Sequence, residues 1–126
     1  MKNKFRVWDN QTRKMIYNVY NLEKYINSSH NVLERYEIMQ CIGTINNISL
    51  YEGDIVECKW KVEHKGVVHI YEKTYVIKYD YEYFSFCLYD EKNNEYEPID
   101  PSYSYDILGN IHEHPELVEE MRNSYD

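Results

Sequence analysis

ISLYEGDIVECKW, at residues 48 to 60, is the stretch that decides the fold of this chain. From Val56 onward apolar and charged residues alternate, and because successive side chains of a strand point to opposite faces, the pattern predicts a half-buried strand. Gly53 precedes this strand, and a glycine adopts positive φ at little cost, so we interpret it as a turn or bulge that directs the strand. Residues 64 to 66 interrupt the alternation, which predicts a hairpin over residues 54 to 72.

The composition is typical of one folded β-rich domain. The 126 residues include 15 Tyr but only 4 Gly and 3 Pro, and aromatic residues favour pleated, half-buried surfaces. We interpret residues 1 to 126 as a single domain in three parts. These are an N-terminal hairpin and irregular segment over residues 1–47, a small barrel over residues 48–111, and a C-terminal helix and tail over residues 112–126.

The net charge and the hydropathy of the chain indicate which partners and which location to expect. The net charge of −8 disfavours direct nucleic acid binding, which requires clustered Lys and Arg. Residues 1 to 6 lack the apolar core of a signal peptide, and no apolar run reaches membrane-spanning length, so we expect a cytoplasmic protein that binds no membrane. The three cysteines Cys41, Cys58 and Cys87 lack metal spacing and are expected to be reduced core thiols.

The first third of the chain predicts a second hairpin, over residues 4 to 9 and 15 to 20. Trp8 near its tip either caps the core or anchors a partner. Residues 21 to 40 fit neither strand nor helix period well, and we expect a short helix or turn followed by a strand at about residues 36 to 42. Residues 43 to 47 are predicted to form a loop.

The last third predicts a further hairpin and an end helix. A long strand over residues 71 to 80 is followed by a turn and by a strand that starts at Phe84, and residues 91 to 95 are expected to form a solvated loop. Pro98 and Pro101 exclude a central strand between them. The remaining predictions are a final strand with a glycine bulge over residues 105 to 111, and a helix that begins at Pro115, with His114 as its cap.

Residues with catalytic or metal-binding chemistry are few. The candidate metal ligands are His64, His69, His112, Glu113 and His114. They lack the spacing that zinc requires, so we expect no metal and no cofactor. Cys58 and Cys87 lie on apolar strand faces, where burial makes a thiol inert, and carboxylates beside turns, such as Glu52 with Asp54, usually cap backbone amides. We therefore predict no catalytic residues and a protein that is not an enzyme.

Tyrosines interleaved with acidic residues form the strongest candidate binding surface. Tyrosine supplies a large contact area at low entropic cost and is enriched at protein interfaces, although it also replaces Phe at the edges of cores. The candidate partner-binding residues are Tyr79, Tyr81, Glu82, Tyr83, Tyr89, Asp90, Asp100 and Tyr103.

Three motifs in order resemble the YopX family of phage and prophage proteins. They are KFRVWD at residues 4 to 9 with Lys14-Met15, YEGDIV at residues 51 to 56, and ILGNIHEHPEL at residues 107 to 117. The resemblance implies a mainly β fold with an SH3-like β-barrel, an N-terminal hairpin packed beside it, a short C-terminal helix and a tendency to self-associate. It implies no catalytic activity and no active-site residues.

Three hypotheses for function follow. The first is a non-enzymatic phage or prophage protein that forms homo-oligomers and binds a host or phage protein through its acidic, tyrosine-rich surface. The second is an inhibitor of a host defence nuclease, in which Glu82, Asp90 and Asp100 mimic DNA phosphates. The third is a small-ligand or nucleotide binder with a site between protomers, where Arg6, Lys59 and Lys78 are the available cations.

Overall fold

The computed structural model describes residues 3–26, 35–45 and 47–124, and the chain divides into two compact units, Met1–Tyr51 and Glu52–Asp126. The elements of the first unit are β1 Phe5–Asp9, β2 Lys14–Val19, α1 Glu23–Ile26, β3 Tyr36–Ile45 and β4 Ile48–Tyr51. Those of the second unit are β5 Asp54–His64, β6 Val67–Asp80, β7 Ser85–Asp90, β8 Glu95–Pro98, β9 Ser104–Asn110 and α2 Pro115–Arg122.

The first unit is an antiparallel sheet with the strand order β2-β1-β3-β4. Strands β1 and β2 are the predicted N-terminal hairpin, and the carboxylate of Asp9 closes its turn by accepting a hydrogen bond from the backbone N–H of Gln11 at 2.9 Å. Val7, Val19 and Tyr25 form a buried cluster, so the single turn of α1 packs on the sheet through Tyr25. The predicted short helix and following strand are confirmed.

The second unit is an antiparallel sheet with the strand order β8-β7-β6-β5-β9. The predicted hairpin of β5 and β6 turns at Lys65 and Gly66, whose φ angles of 51° and 78° match the twist of the flanking strands. Pro98 ends β8, an edge strand, where a missing N–H disrupts no ladder. The pairing of β9 with β5 shifts register between Ile107 and Gly109, which confirms the predicted bulge.

Helix α2 covers one face of this second sheet. Val118 packs against Ile55 and Val76, and Leu117 and Met121 flank the contact. This confirms the predicted C-terminal helix and the side chains by which it packs. The mainly β fold is likewise confirmed, and a five-stranded sheet is compatible with the SH3-like barrel that the resemblance implies.

The stretch at residues 48 to 60 is divided between the two units. Ile48–Tyr51 is strand β4 of the first sheet, Gly53 turns with a φ of 89°, and Asp54 begins β5 of the second sheet. The boundary between the two units therefore follows Tyr51. The alternation from Val56 onward lies wholly within β5, after the glycine turn.

Two loop predictions are wrong in part. Residues 43 to 45 continue strand β3 by pairing with β4, while residue 46 lies outside the described residues, as do residues 27–34 of the ambiguous segment. Glu91 is buried and not solvated, because Lys78 Nζ at 3.0 Å and Arg122 Nε at 3.1 Å bind its carboxylate. These long-range partners are not visible in the local sequence.

Trp8 and two of the three cysteines are core residues. Cys58 and Cys87 are buried free thiols, whereas Cys41 is half-buried. Burial, with the nearby Glu97 and Glu57 carboxylates, raises the pKa of the Cys58 thiol to about 12, so this cysteine is protonated at neutral pH. Trp8 is buried as well, as expected if it caps the core.

Candidate functional site

The turn between β6 and β7, with the strand ends beside it, carries five aromatic side chains. We call this cluster the aromatic turn, and its members are Tyr79, Tyr81, Tyr83, Phe84 and Phe86. Tyr81, Tyr83 and Phe84 are 79%, 74% and 77% exposed, which is unusual for large apolar rings in one short turn. The aromatic turn is therefore an exposed patch of the kind that marks interaction sites.

Tyr79 supports the exposed rings of the aromatic turn from the end of β6. Its ring makes edge-to-face contacts with Tyr81 and with Phe86, at centroid distances of 4.9 Å and 5.0 Å. Edge-to-face pairs of this kind stabilise by about 1 kcal/mol beyond the area they bury. They hold Tyr81 in place without burying it.

The backbone of the aromatic turn is fixed by Asp80 and by an unusual conformation at Phe84. The Asp80 carboxylate accepts a hydrogen bond from the backbone N–H of Glu82 at 2.9 Å, which caps the turn. Phe84 has a φ of 54°, a left-handed conformation that a bulky side chain adopts only at a cost. An exposed phenylalanine in a strained conformation contributes little to folding.

Phe84 and Phe86 are the site residues that sequence reasoning missed. Phe84 was predicted to begin the returning strand, but β7 begins at Ser85 and Phe84 belongs to the turn. No glycine or asparagine occurs between Asp80 and Ser85 to indicate a left-handed residue. The only available signal was the density of aromatic residues itself.

Tyr89 and Asp90 lie at the opposite end of β7 from the aromatic turn. The hydroxyl of Tyr89 donates to Asn94 Oδ1 at 2.7 Å, and its ring packs against Tyr96. Asp90 is only 3% exposed, and Lys73 Nζ lies 2.6 Å from its carboxylate. Burial opposes ionisation of Asp90, but hydrogen bonds from Lys73, Asn93 and Lys92 outweigh it and lower its pKa to about 2. The negative charge of Asp90 is thus paired with Lys73 inside the fold.

Asp100 and Tyr103 lie in the connection between β8 and β9. The Asp100 carboxylate accepts hydrogen bonds from the backbone N–H and the hydroxyl of Ser102, which lower its pKa. The half-buried Tyr103 stacks on the ring of Trp60 at 5.3 Å, and Tyr71 stacks on the same indole at 5.8 Å. The predicted site residues therefore fall into three separate places in the second unit, of which only the aromatic turn is strongly exposed.

The histidines of the candidate metal set lie in two places, beside the β9 bulge and on the β5–β6 hairpin. His114 Nδ1 accepts the backbone N–H of Asn110 at 3.2 Å, and Glu113 Oε1 accepts a hydrogen bond from the Asn110 side chain at 2.8 Å. His64 and His69 lie on the β5–β6 hairpin. Within the described ranges, no three His, Cys, Asp or Glu side chains are grouped as metal ligands.

The cations proposed for a nucleotide site are engaged within the chain. Lys59 pairs with Glu57 at 3.4 Å, Lys78 pairs with Glu91, and the Arg6 guanidinium lies over the ring of Tyr51 at 4.8 Å. A cleft of about 340 Å³ lies between α2 and the second sheet, and four of its lining side chains are acidic. The acidic residues that line it are Glu57, Glu72, Asp90 and Glu120, and they outnumber the two basic ones, Lys73 and Lys92, which does not favour a phosphate.

The fold and this surface define a mainly β protein whose most exposed apolar feature is an aromatic hairpin turn. The family model described as "YopX protein" matches residues 4–119, nearly the whole chain, and the chain belongs to the YopX family. No curated protein and no solved structure gives a significant match. Among the residues described, no helix is both long and apolar enough to cross a membrane.

Proposed function

We propose that this protein is a phage- or prophage-encoded, non-enzymatic binding protein that contacts a host or phage protein through its aromatic turn, in the cytoplasm of a bacterial host. Membership of the YopX family supports the phage origin. The observation that carries the proposal is the exposure of Tyr81, Tyr83 and Phe84 in one turn. Aromatic anchors of this kind supply most of the binding energy at protein interfaces.

The surface favours a partner with an apolar groove over a partner that binds DNA. Within the aromatic turn Glu82 is an exposed carboxylate, whereas Asp80 is buried and caps the backbone. Of the other carboxylates proposed to mimic phosphates, Asp90 is neutralised by Lys73 and Asp100 is bound to Ser102. A surface with three large rings and few available charges is suited to filling a pocket, with Glu82 at its rim facing a Lys or Arg.

The test compares capture of a partner by the wild type and by a variant of the aromatic turn. Tyr81→Ser, Tyr83→Ser and Phe84→Asn are combined, since Asn tolerates the left-handed conformation at residue 84. We expect the wild type to retain a specific protein from a phage-infected bacterial host, and the variant to bind that purified protein at least about 10-fold more weakly. Isothermal calorimetry with the purified pair gives the Kd values.

The control is Tyr20→Ser, an equally polar change at an exposed tyrosine outside the turn. This variant is expected to bind like the wild type. Equal affinity of the combined variant and the wild type would refute the role of the aromatic turn, and the absence of any specific partner would refute the proposed function.

A further inference from the structure

The β5–β6 hairpin extends beyond the rest of the second sheet. Strand β9 pairs with β5 only as far as Lys59, and β7 pairs with β6 only from Val76 onward. Residues 60–64 and 67–71 therefore form a two-stranded extension, which we call the β5–β6 arm. An isolated pair of strands is marginally stable in water, and its free edges invite further strands.

The β5–β6 arm exposes apolar side chains on both faces. Val62 lies opposite His69 on one face and is 43% exposed, while Ile70 lies opposite Lys61 on the other face and is 66% exposed. Val67, Val68 and Tyr71 are exposed as well. Strands with apolar side chains on both faces are typical of the interior of a larger sheet.

Two charged side chains on the free edge of the arm have no oppositely charged partner within the described part of the chain. Lys61 and Glu63 are exposed and point to the same face, and their cross-strand neighbours on β6 are the apolar Ile70 and Val68. Neither side chain takes part in an ion pair or a side-chain hydrogen bond with another described residue. A lysine and a glutamate two residues apart on one strand can each face the opposite charge when the same strand of a second copy runs antiparallel beside it.

We propose that the β5 edge at Trp60–His64 pairs antiparallel with the same edge of a second copy, about a twofold axis at Val62. This register places Lys61 opposite Glu63 of the second copy, twice, and Val62 opposite Val62. It uses the whole of the edge that β9 leaves unpaired. Registers centred on Lys61 or Glu63 would place like charges opposite each other, which is destabilising.

The resulting dimer contains a continuous sheet in which the arm segment of β5 no longer lies at an edge. This interface is independent of the aromatic turn, so it goes beyond the proposed function.

Charge reversal tests the register, with dimerisation measured by sedimentation velocity over a range of protein concentrations. We expect a concentration-dependent dimer for the wild type. Lys61→Glu and Glu63→Lys should each weaken it by at least about 10-fold, because both charge pairs become repulsive. An equimolar mixture of the two variants should form heterodimers, since each then meets the opposite charge on its partner.

The control is Lys65→Glu, which makes the same change of charge in the exposed turn, one residue beyond the paired edge. It should dimerise like the wild type, and circular dichroism shows whether each variant is folded. A wild type that is monomeric at every concentration overturns the proposal. Single variants that dimerise as strongly as the wild type, or a mixture without heterodimers, overturn it too.

Discussion

At the scale of single residues, Gly109 is fixed by its close approach to a histidine ring. A Cβ at this position would lie 2.4 Å from His114 Nδ1 and 2.7 Å from its Cγ, which is closer than van der Waals contact allows. The same imidazole accepts the backbone N–H of Asn110, so the ring cannot move away without losing that bond. The glycine of the β9 bulge is required by packing.

Gly109→Ala is expected to lower the free energy of unfolding by about 1 to 3 kcal/mol, because the His114 ring must be displaced. His114→Ala alone should cost about 1 kcal/mol through loss of its hydrogen bond. Since removal of the ring relieves the clash, the double variant should lose less than the sum of the two single variants. Urea unfolding measures all three, and simple additivity would contradict the predicted contact.

At the scale of elements, α2 is held to the second sheet by an apolar contact centred on one buried valine and by an ion pair in its last turn. Val118 fills the contact with Ile55 and Val76, and Arg122 in the last turn of α2 reaches the buried carboxylate of Glu91. The helix has no side-chain hydrogen bond at its N-cap, and Pro115 at its start supplies the fixed φ. Tertiary contacts therefore stabilise this short helix more than its own sequence does.

Val118→Ala should destabilise the fold by about 2 kcal/mol, since it removes buried methyl groups and leaves a cavity under the helix. Glu119→Ala, at the exposed neighbouring position, should change the free energy of unfolding by less than about 0.5 kcal/mol. Thermal and urea unfolding of both variants test this difference. Equal effects would show that Val118 does not anchor α2.

At the scale of the whole molecule, buried ionisable groups set the pH range of stability. The pKa of Asp90 is held at about 2 and that of Asp9 is lowered by the hydrogen bond from Arg35. Burial raises the pKa of Tyr105 to about 12, and burial with the hydrogen bond to Glu97 raises that of Tyr75 further. The two aspartates limit stability in acid, and the two tyrosines limit it in alkali.

We expect the unfolding midpoint to be constant between about pH 5 and pH 8 and to fall on both sides. Ionised Asp90 stabilises the fold above its ordinary pKa of 3.8, and this contribution of about 2 kcal/mol is lost as the pH falls through about 2. Neutral Tyr105 stabilises the fold below its ordinary pKa of 10, and this contribution is lost as the pH rises towards 12. Urea midpoints between about pH 2 and pH 11 test both limits.

The matched variant for the acid limb is Asp90→Asn. It should be less stable than the wild type at neutral pH and should lose less stability between about pH 4 and pH 2. Tyr105→Phe should flatten the alkaline limb in the same way. If either limb kept its full slope in its variant, the stabilising charge state would belong to another residue.

Much of the fold could be predicted from local patterns. The alternation after Gly53, the turn at Lys65 and Gly66, and the proline and apolar stripe of α2 each depend on neighbouring residues, and each prediction is confirmed. The site could be predicted only in part. Composition singled out Tyr81, Tyr83 and Glu82 as candidates, whereas Phe84 was missed because its backbone conformation is imposed by the turn.

The sequence by itself determined the β-rich fold, the C-terminal helix and the family, because periodicity, turn chemistry and motif order are local properties of the chain. Only the tertiary structure decided which carboxylates are paired with cations inside the fold and which are exposed at the surface. Asp90 and Glu91 are bound by Lys73, Lys78 and Arg122, residues that are distant in sequence. It also decided that strand β5 extends beyond β9, and this unpaired edge arises from the unequal lengths of strands that meet only in the folded sheet.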